Sequence, residues 1–293
     1  MRLAQLPRPL TIAALVACVA APAVAQGGGP GGSRTPRGDS LRAASRLDSD
    51  GSTAEARKLF QSLVDGAPDP AARAAAQRAM AMSYAFDGDC ANAVRLEEQV
   101  IAYWVTRESA EPQNAFYQQG EMANEAARVC IDAGHLDIAE RYYRRGSDLG
   151  NREPEPRTHP RSLWDFRLAH ALARLAARRG DRGEAQRQVA AARAILDGDK
   201  AMAEAQERFF PYLAGYVALY TGDLATAERE LTRATELNGN DPFMHFLLAT
   251  TLEKLGQGDK ARALYRKAYD LAAGHNPPAA FTRPAARQKL ANP

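Results

Sequence analysis

The segment YTGDLATAERELTRATELNGNDP shows how apolar and polar positions follow one another along most of this chain. Ala227, Leu231 and Ala234 recur at helical spacing, and charged residues stand between them on the other face. Gly222 and Asp223 come just before. The glycine suits the left-handed conformation that ends a helix, and the aspartate suits the position that caps the next one. The pattern therefore predicts two antiparallel helices joined by a two-residue turn.

A glycine followed five residues later by an alanine recurs through the chain in helical surroundings. The six sites are Gly51/Ala56, Gly88/Ala93, Gly134/Ala139, Gly180/Ala185, Gly222/Ala227 and Gly256/Ala261, and their spacings are 37, 46, 46, 42 and 34 residues. In the last two sites the match extends to Leu231 with Tyr265 and to Ala234 with Ala268, each pair 34 residues apart. Such a period is typical of stacked helix pairs.

The order of small, large and small residues in the second helix resembles the tetratricopeptide-repeat family, and Pro242 fits the proline that often ends a unit. The resemblance implies an all-α, right-handed solenoid of about six antiparallel helix pairs over residues 41–273. No stretch alternates apolar and polar residues for long enough to predict a strand. The spacings above 34 residues imply added turns or loops, among them a helical turn or two before Pro211.

Other residues predict how individual helices begin. Asp89 and Asp181 each follow a repeat glycine, as Asp223 does, and we expect them to cap the next helix. Ser52, with Glu55 three residues later, predicts a capping box in the first unit.

The first 25 residues read as a signal peptide. A short basic segment precedes the apolar run LTIAALVACVAAPAVA, which ends in small residues suited to cleavage before Gln26 and is short for a membrane span. Residues 26–40, rich in glycine and proline, predict a flexible linker. We therefore expect an exported protein, periplasmic or secreted, with no membrane span in its mature form. A retained anchor is one alternative. Another is a lipoprotein, because LVAC resembles the bacterial lipobox and places Cys18 at the lipidated position.

Residues 274–293 leave the repeat pattern and predict either a cap on the last unit or a disordered tail. We expect Asn276, Pro277 and Pro278 to be extended, and Pro284 to Leu290 to form one short helix. Phe281 and Leu290 would give such a cap apolar side chains to bury.

The low net charge and the absence of known catalytic and metal-binding motifs argue against several classes of function. The formal net charge is +3, and it falls to +1 without Arg2 and Arg8 of the signal, so no basic field indicates a nucleic-acid partner. None of the five histidines has a partner at zinc-site spacing, and no nucleophile elbow, phosphate loop or dinucleotide fingerprint is present. The sequence therefore predicts neither catalysis nor a metal or cofactor.

Two cysteines remain after the signal. By the repeat register, Cys90 and Cys130 fall at the same end of adjacent antiparallel helices, so a disulfide between them is feasible in an oxidising compartment. The alternative is two small buried thiols.

The resemblance also assigns residues to the concave face of the solenoid, which such stacks use for binding. Taking each glycine as position fifteen of its unit, this register places ten side chains there: Arg78, Asn124, Arg128, His170, Arg174, Arg178, Tyr212, Tyr216, Tyr220 and Phe246. The groove so defined has a cationic half followed by an aromatic half. Arginine forks hold carboxylates, and aromatic rings pack against neighbouring apolar groups. The alternative is that the tyrosines pack between helices and the arginines are solvated.

These features predict a non-enzymatic scaffold or adaptor of the bacterial cell envelope. It would bind a protein or peptide, one with acidic groups, on its concave face. A lipid-anchored envelope-assembly component is the alternative within this class. A small-molecule-binding protein or enzyme is the alternative outside it, and it would need charged residues converging in a closed cavity.

Overall fold

The computed structural model describes residues 35–291, and the predicted signal peptide, including Cys18, lies outside that range. The described chain contains helices and connecting turns and no strand, which confirms the all-α prediction. The helices are α1 (Pro36–Asp50), α2 (Thr53–Asp65), α3 (Pro70–Phe86), α4 (Cys90–Val105), α5 (Pro112–Asp132), α6 (Leu136–Asn151), α7 (Arg161–Arg178), α8 (Arg182–Gly198), α9 (Lys200–Gln206), the 3-10 turn η1 (Glu207–Phe209), α10 (Phe210–Thr221), α11 (Leu224–Leu237), α12 (Pro242–Lys254), α13 (Gly258–Leu271) and α14 (Pro277–Ala291).

Six helix pairs stack in chain order, as the repeat pattern predicts. The pairs are α1 with α2, α3 with α4, α5 with α6, α7 with α8, α10 with α11, and α12 with α13. Ala227, Leu231 and Ala234 on α11 are fully buried, so the small residues mark close helix contacts and the leucine fills the space between them. The added turns predicted before Pro211 are α9 and η1.

The turns inside the pairs use the residues that the sequence indicates. All six repeat glycines have positive φ, from 69° at Gly88 to 92° at Gly51, and no other described residue does. The side chains of Asp89, Asp181 and Asp223 each accept a hydrogen bond from a backbone N–H in the first turn of the following helix, which confirms the predicted caps.

The predicted capping box at the first unit is wrong. The Ser52 side chain makes no capping hydrogen bond. The Ser52 backbone N–H donates to the Leu47 carbonyl at 2.8 Å, so it is not available to the Glu55 carboxylate that would complete the box.

Helix α1 begins within the segment predicted as linker. Pro36 takes the first helical position, where its missing N–H costs nothing. The Arg37 guanidinium then donates to the Leu63 and Ala72 carbonyls at 2.9 and 2.8 Å, which holds the first turn of α1 against α2 and α3.

The C-terminal helix is longer than predicted and returns to the start of the stack. It begins at Pro277 rather than Pro284, so the extended conformation expected for Pro277 and Pro278 is wrong. Two prolines fit the first turn of a helix, and the Asn276 side chain accepts from the Ala279 N–H at 3.1 Å. Helix α14 packs against α12 and α13 and also against α3 and α5.

Candidate functional site

Five of the ten predicted groove residues line one cavity, which we call the arginine cavity. Its volume is about 250 Å³, and it lies between α5, α7, α10 and α12, beside η1. The five predicted residues are Asn124, Arg128, His170, Arg174 and Tyr212. The others that line it are Glu121, Tyr143, Phe166, Arg167, Gln206, Phe209, Asp241, Phe243 and Met244.

Arg174 is the buried cation of this cavity, with 6% of its surface exposed. Its guanidinium donates to the hydroxyl groups of Tyr143 at 3.0 Å and Tyr212 at 3.5 Å. Burial opposes its charge, but the phenols around it and Asp132 raise its pKa, so Arg174 stays protonated. It forms no ion pair with any carboxylate in residues 35–291. A buried guanidinium held mainly by neutral phenols presents positive charge to the cavity.

Arg128 and His170 also belong to the polar part of the cavity wall. Among the described residues, Arg128 has no ion-pair partner, and its guanidinium lies 5.8 Å from the centre of the Phe281 ring. The pKa of His170 is lowered well below its usual value, first by burial and then by the charges of Arg174 and Arg128. His170 is therefore neutral near pH 7, and the positive charge of the cavity belongs to the arginines.

Tyr212 supplies a hydrogen-bond donor. Burial raises the pKa of its phenol to about 12, so the hydroxyl keeps its proton. The Tyr212 oxygen accepts a hydrogen bond from Arg174, so the Tyr212 O–H proton points away from Arg174 and can be donated to another acceptor. Three arginines and two acids line the cavity, and one of the arginines, Arg167, is paired with Glu121. The two arginines without an ion-pair partner among the described residues, together with the phenol donor, form a set complementary to an anion.

Asp132, at the end of α5, is an acid whose charge acts on Arg174, and it was not predicted as a site residue. Burial raises its pKa to about 6, although the charges of Arg174, Arg128 and Arg178 act in the opposite direction. Its carboxylate lies 3.8 Å from the Arg178 guanidinium. No sequence signal singles it out, because its neighbours come from another helix.

The aromatic residues divide between burial and the groove. Tyr216 is fully buried, and its ring centre lies 6.0 Å from that of Tyr212 and 4.6 Å from that of Tyr220. Its hydroxyl accepts a long hydrogen bond from Arg178 at 3.4 Å. Tyr220, by contrast, is 40% exposed.

A second cavity, of about 720 Å³, lies between the stack and α14, and we call it the α14 cavity. Arg178, Tyr220 and Phe246 of the predicted groove line it. Its walls are otherwise mainly apolar and include Phe86, Val129, Phe243, Ala280, Phe281 and Pro284. The structure therefore separates the predicted groove into a charged part and a mainly apolar part.

Arg78 lies apart from both cavities. It forms an ion pair with Glu125 at 2.7 Å, next to the fully buried Glu97. Burial, together with the nearby Glu125 charge, raises the pKa of Glu97 well above its usual value. Arg78 is therefore neutralised by its own surroundings.

The Sγ atoms of Cys90 and Cys130 are bonded at 2.05 Å and join α4 to α5. Within residues 35–291, no three metal-binding side chains come together as a candidate metal site. No described helix is both long enough and apolar enough to span a membrane.

Comparisons with known proteins find one matching family model and several similar solved structures. A family model described as tetratricopeptide repeat matches residues 244–275, which cover most of α12 and all of α13. A search of the curated proteins finds no match. Solved structures that are similar include a variant form of the nearly identical TPR-like repeats of a putative kinesin light chain from Podosopora anserina, at 19% identity and a TM-score of 0.37, covering 80% of this chain and 93% of that one. Yeast Tom70 matches at 11% identity and a TM-score of 0.39, covering 91% of this chain and 66% of its own.

Proposed function

Because a tetratricopeptide-repeat model matches residues 244–275 and the described helices stack in pairs, we propose that this chain is a non-enzymatic tetratricopeptide-repeat scaffold that binds a protein or peptide on the concave side of its helix stack. A rigid stack of helix pairs offers a preformed surface, and recognition there needs no turnover. Within that surface we assign binding to the arginine cavity, where two arginines have no ion-pair partner among the described residues.

One observation carries the proposal about the ligand. Arg174 is buried and charged, yet it has no ion-pair partner among the described residues, and Arg128 beside it has none either. An acidic group entering the cavity would receive charge-assisted hydrogen bonds from these guanidinium groups and from the Tyr212 hydroxyl. The ligand is accordingly a protein or peptide segment with an exposed carboxylate.

The size of the cavity favours a side chain over a whole small molecule. Pockets for drug-sized ligands measure about 300–1,000 Å³. The arginine cavity measures about 250 Å³, which is below that range but enough for one acidic side chain. An acidic side chain of a protein is therefore the first candidate for the ligand. A free organic acid is the second candidate, and the capture and melting experiments distinguish these two ligands.

The proposed compartment is the bacterial cell envelope, with the protein periplasmic or secreted after export. The sequence of residues 1–25 supports export. The Cys90–Cys130 bond supports it independently, because such bonds persist in oxidising compartments. In the alternative form, Cys18 carries a lipid and holds the scaffold at a membrane. Mass spectrometry of the mature N-terminus separates these two forms.

The test is affinity capture from an envelope extract with the mature protein and an Arg128→Ala/Arg174→Ala variant as baits. Losing a buried charged partner costs about 2–5 kcal/mol at an interface, so we expect the variant to lose its partner. An Arg95→Ala/Arg141→Ala variant is the control. It removes the same charge from exposed positions outside the cavity, and circular dichroism should show that all three baits are folded.

Equal capture by all three baits would overturn the role of the arginine cavity. If no bait retains a protein, the second candidate is tested with benzoate as probe. A rise in melting temperature for the wild-type protein, absent in the cavity variant, would favour a free acid as the ligand.

A further inference from the structure

Helix α14 connects the two ends of the stack through its arginines. The Arg283 Nε donates to the Ser49 carbonyl at 2.7 Å, and Arg287 donates to the Ser49 and Asp50 carbonyls at 2.7 and 3.1 Å. Ser49 and Asp50 end α1, where helix carbonyls have no partner inside the helix. The arginines of α14 therefore cap a helix more than 230 positions earlier in the sequence.

The apolar side of α14 faces the first helices of the repeats. The Phe281 ring centre lies 5.9 Å from that of Phe243 on α12, and the Arg128 guanidinium of α5 lies over the same ring. Ala280 and Phe281 also pack in a cluster with Phe86 and Val129. We call the surface on α3, α5 and α12 that α14 covers the helix groove.

Two features weaken the packing of α14: a cavity beside the helix groove and a buried polar group on the helix itself. The α14 cavity, about 720 Å³, remains between the helix and the stack. The Thr282 hydroxyl is fully buried, with no hydrogen-bond partner among the described residues. The apolar groups that line the cavity lack packing contacts with α14 there, and an unsatisfied buried hydroxyl costs free energy. A helix that filled the space and avoided the hydroxyl would bind more tightly than α14 does.

We propose that the helix groove is a binding surface for a partner's helix, and that α14 occupies it in the unbound protein. The occupant is an amphipathic helix with an aromatic anchor and basic residues two and six positions later, as Arg283 and Arg287 follow Phe281. The inference rests on the proposed function, since it names a partner class for the same concave side. Because α14 is tethered, it competes at an effective concentration in the millimolar range for a short connection. A partner must therefore bind well enough to displace it.

The experiment uses a fluorescein-labelled peptide, HNPPAAFTRPAARQKLA, which corresponds to residues 275–291. Its binding is measured by anisotropy against the full chain and against a full-chain Arg283→Ala/Arg287→Ala variant. The substitutions weaken the binding of the tethered α14 to the stack. They do not weaken the binding of the peptide, because the peptide keeps both arginines. We expect the variant to bind the peptide at least about tenfold more tightly than the wild-type chain.

Two controls define the mechanism. Lys267→Ala removes a charge from an exposed position on α13 and should behave as the wild-type chain does. A peptide with Phe281→Ala lacks the anchor and should lose most of its affinity. Equal affinity of the arginine variant and the wild-type chain for the peptide, or no binding by either, would overturn the inference and make α14 a permanent cap.

Hydrogen exchange of the unmodified chain gives a second measurement that does not depend on how the variant folds. We expect amides of α14 to exchange at least about tenfold faster than those of α12, because α14 opens without global unfolding. Equal protection of the two helices would contradict displacement.

An Arg174→Ala chain separates the failure of this inference from the failure of the proposed function. Arg174 lines the arginine cavity and not the α14 cavity, so peptide binding should survive in the chain that also carries the two α14 substitutions. If the peptide binds but no captured partner depends on Arg174, the helix groove remains supported as a binding surface, and the proposed acidic ligand of the arginine cavity is contradicted. Loss of peptide binding with Arg174→Ala would overturn the separation of the two sites.

Discussion

Gly222 ends α10 with φ of 88°, and no atom outside its immediate neighbourhood lies within 4 Å of the position that a Cβ would take. Gly198, at the end of α8, has equally open space but an ordinary φ. The left-handed conformation costs a residue with a Cβ about 1–2 kcal/mol. We therefore expect Gly222→Ala to lower the free energy of unfolding by about 1 kcal/mol, and Gly198→Ala to leave it unchanged or slightly higher. Urea denaturation of both variants measures this, and equal effects would show that φ is not the cause.

Asp132 makes stability depend on pH. Burial raises its pKa from an ordinary value of 3.8 to about 6, so the folded protein binds this proton more tightly than the unfolded chain does. The stabilisation that comes from protonating Asp132 is fully present below about pH 4. It falls as the pH rises from about 4 to 6, and it is absent above that range. At about 1.4 kcal/mol for each pH unit, the change is on the order of 3 kcal/mol.

The measurement compares the wild-type chain with Asp132→Asn by chemical denaturation at pH 4.5 and pH 7.5. The stability of the wild-type chain relative to the variant should decrease between the two pH values. Using the difference removes the contribution of His170, whose lowered pKa also affects stability in this range. A difference that does not change with pH would contradict the assigned pKa.

Residues differ in how far the sequence predicts their roles. The register assigned Arg128, Arg174 and Tyr212 to one side of the stack, and the three converge on one cavity. It also assigned Arg78, which is neutralised by Glu125 from another helix. A register states which way a helix position faces but not which charges the neighbouring helices supply. For the same physical reason it could not identify Asp132.

At the scale of the helix, the caps provide a matched comparison. Asp223 accepts a hydrogen bond from the Thr226 N–H at 3.1 Å, whereas Ser52 makes no side-chain capping bond. Replacing a capping side chain with alanine typically costs about 1 kcal/mol. We expect Asp223→Ala to lower the free energy of unfolding by about that amount and Ser52→Ala to change it by less than about 0.5 kcal/mol, both in urea denaturation. A loss at Ser52 equal to that at Asp223 would disprove the assignment.

Helix boundaries were predictable where a local rule decides them. The glycine and aspartate turns satisfy backbone groups within a few residues, so the sequence alone indicates them. The extent of α14 was not predictable in this way. Prolines are tolerated in the first turn of a helix, but Pro284 also lies inside α14. Contacts with α3, α5 and α12 compensate for that proline, and those contacts depend on the fold.

For the whole molecule, the repeat period predicted the stack but not its closure. Each helix pair packs on its neighbours, and the recurring glycines and alanines encode that packing locally. The bonds from Arg283 and Arg287 to the end of α1 join residues more than 230 positions apart. A pattern that repeats from unit to unit contains no information about such a contact, because the contact occurs once.

Closure predicts that the two ends of the helix stack are energetically coupled. In an open stack, a change in the last helix affects mainly the adjoining unit. Here Arg283→Ala/Arg287→Ala removes the cap of α1, and bonds from charged donors contribute about 1.5–3 kcal/mol each when buried. These arginines are partly exposed, so we expect a smaller loss, about 1.4 kcal/mol in total.

That loss corresponds to a tenfold rise in the exchange of amides that open together with the end of α1. Hydrogen exchange should therefore accelerate in α1 and α2, while α7 and α8, in the middle of the stack, keep their protection. Lys267→Ala on α13 is the control, because it removes a charge near the same terminus without touching α1, and it should leave α1 unchanged. Faster exchange confined to α12, α13 and α14 in the arginine variant would mean that the stack behaves as open and that α14 does not couple its ends.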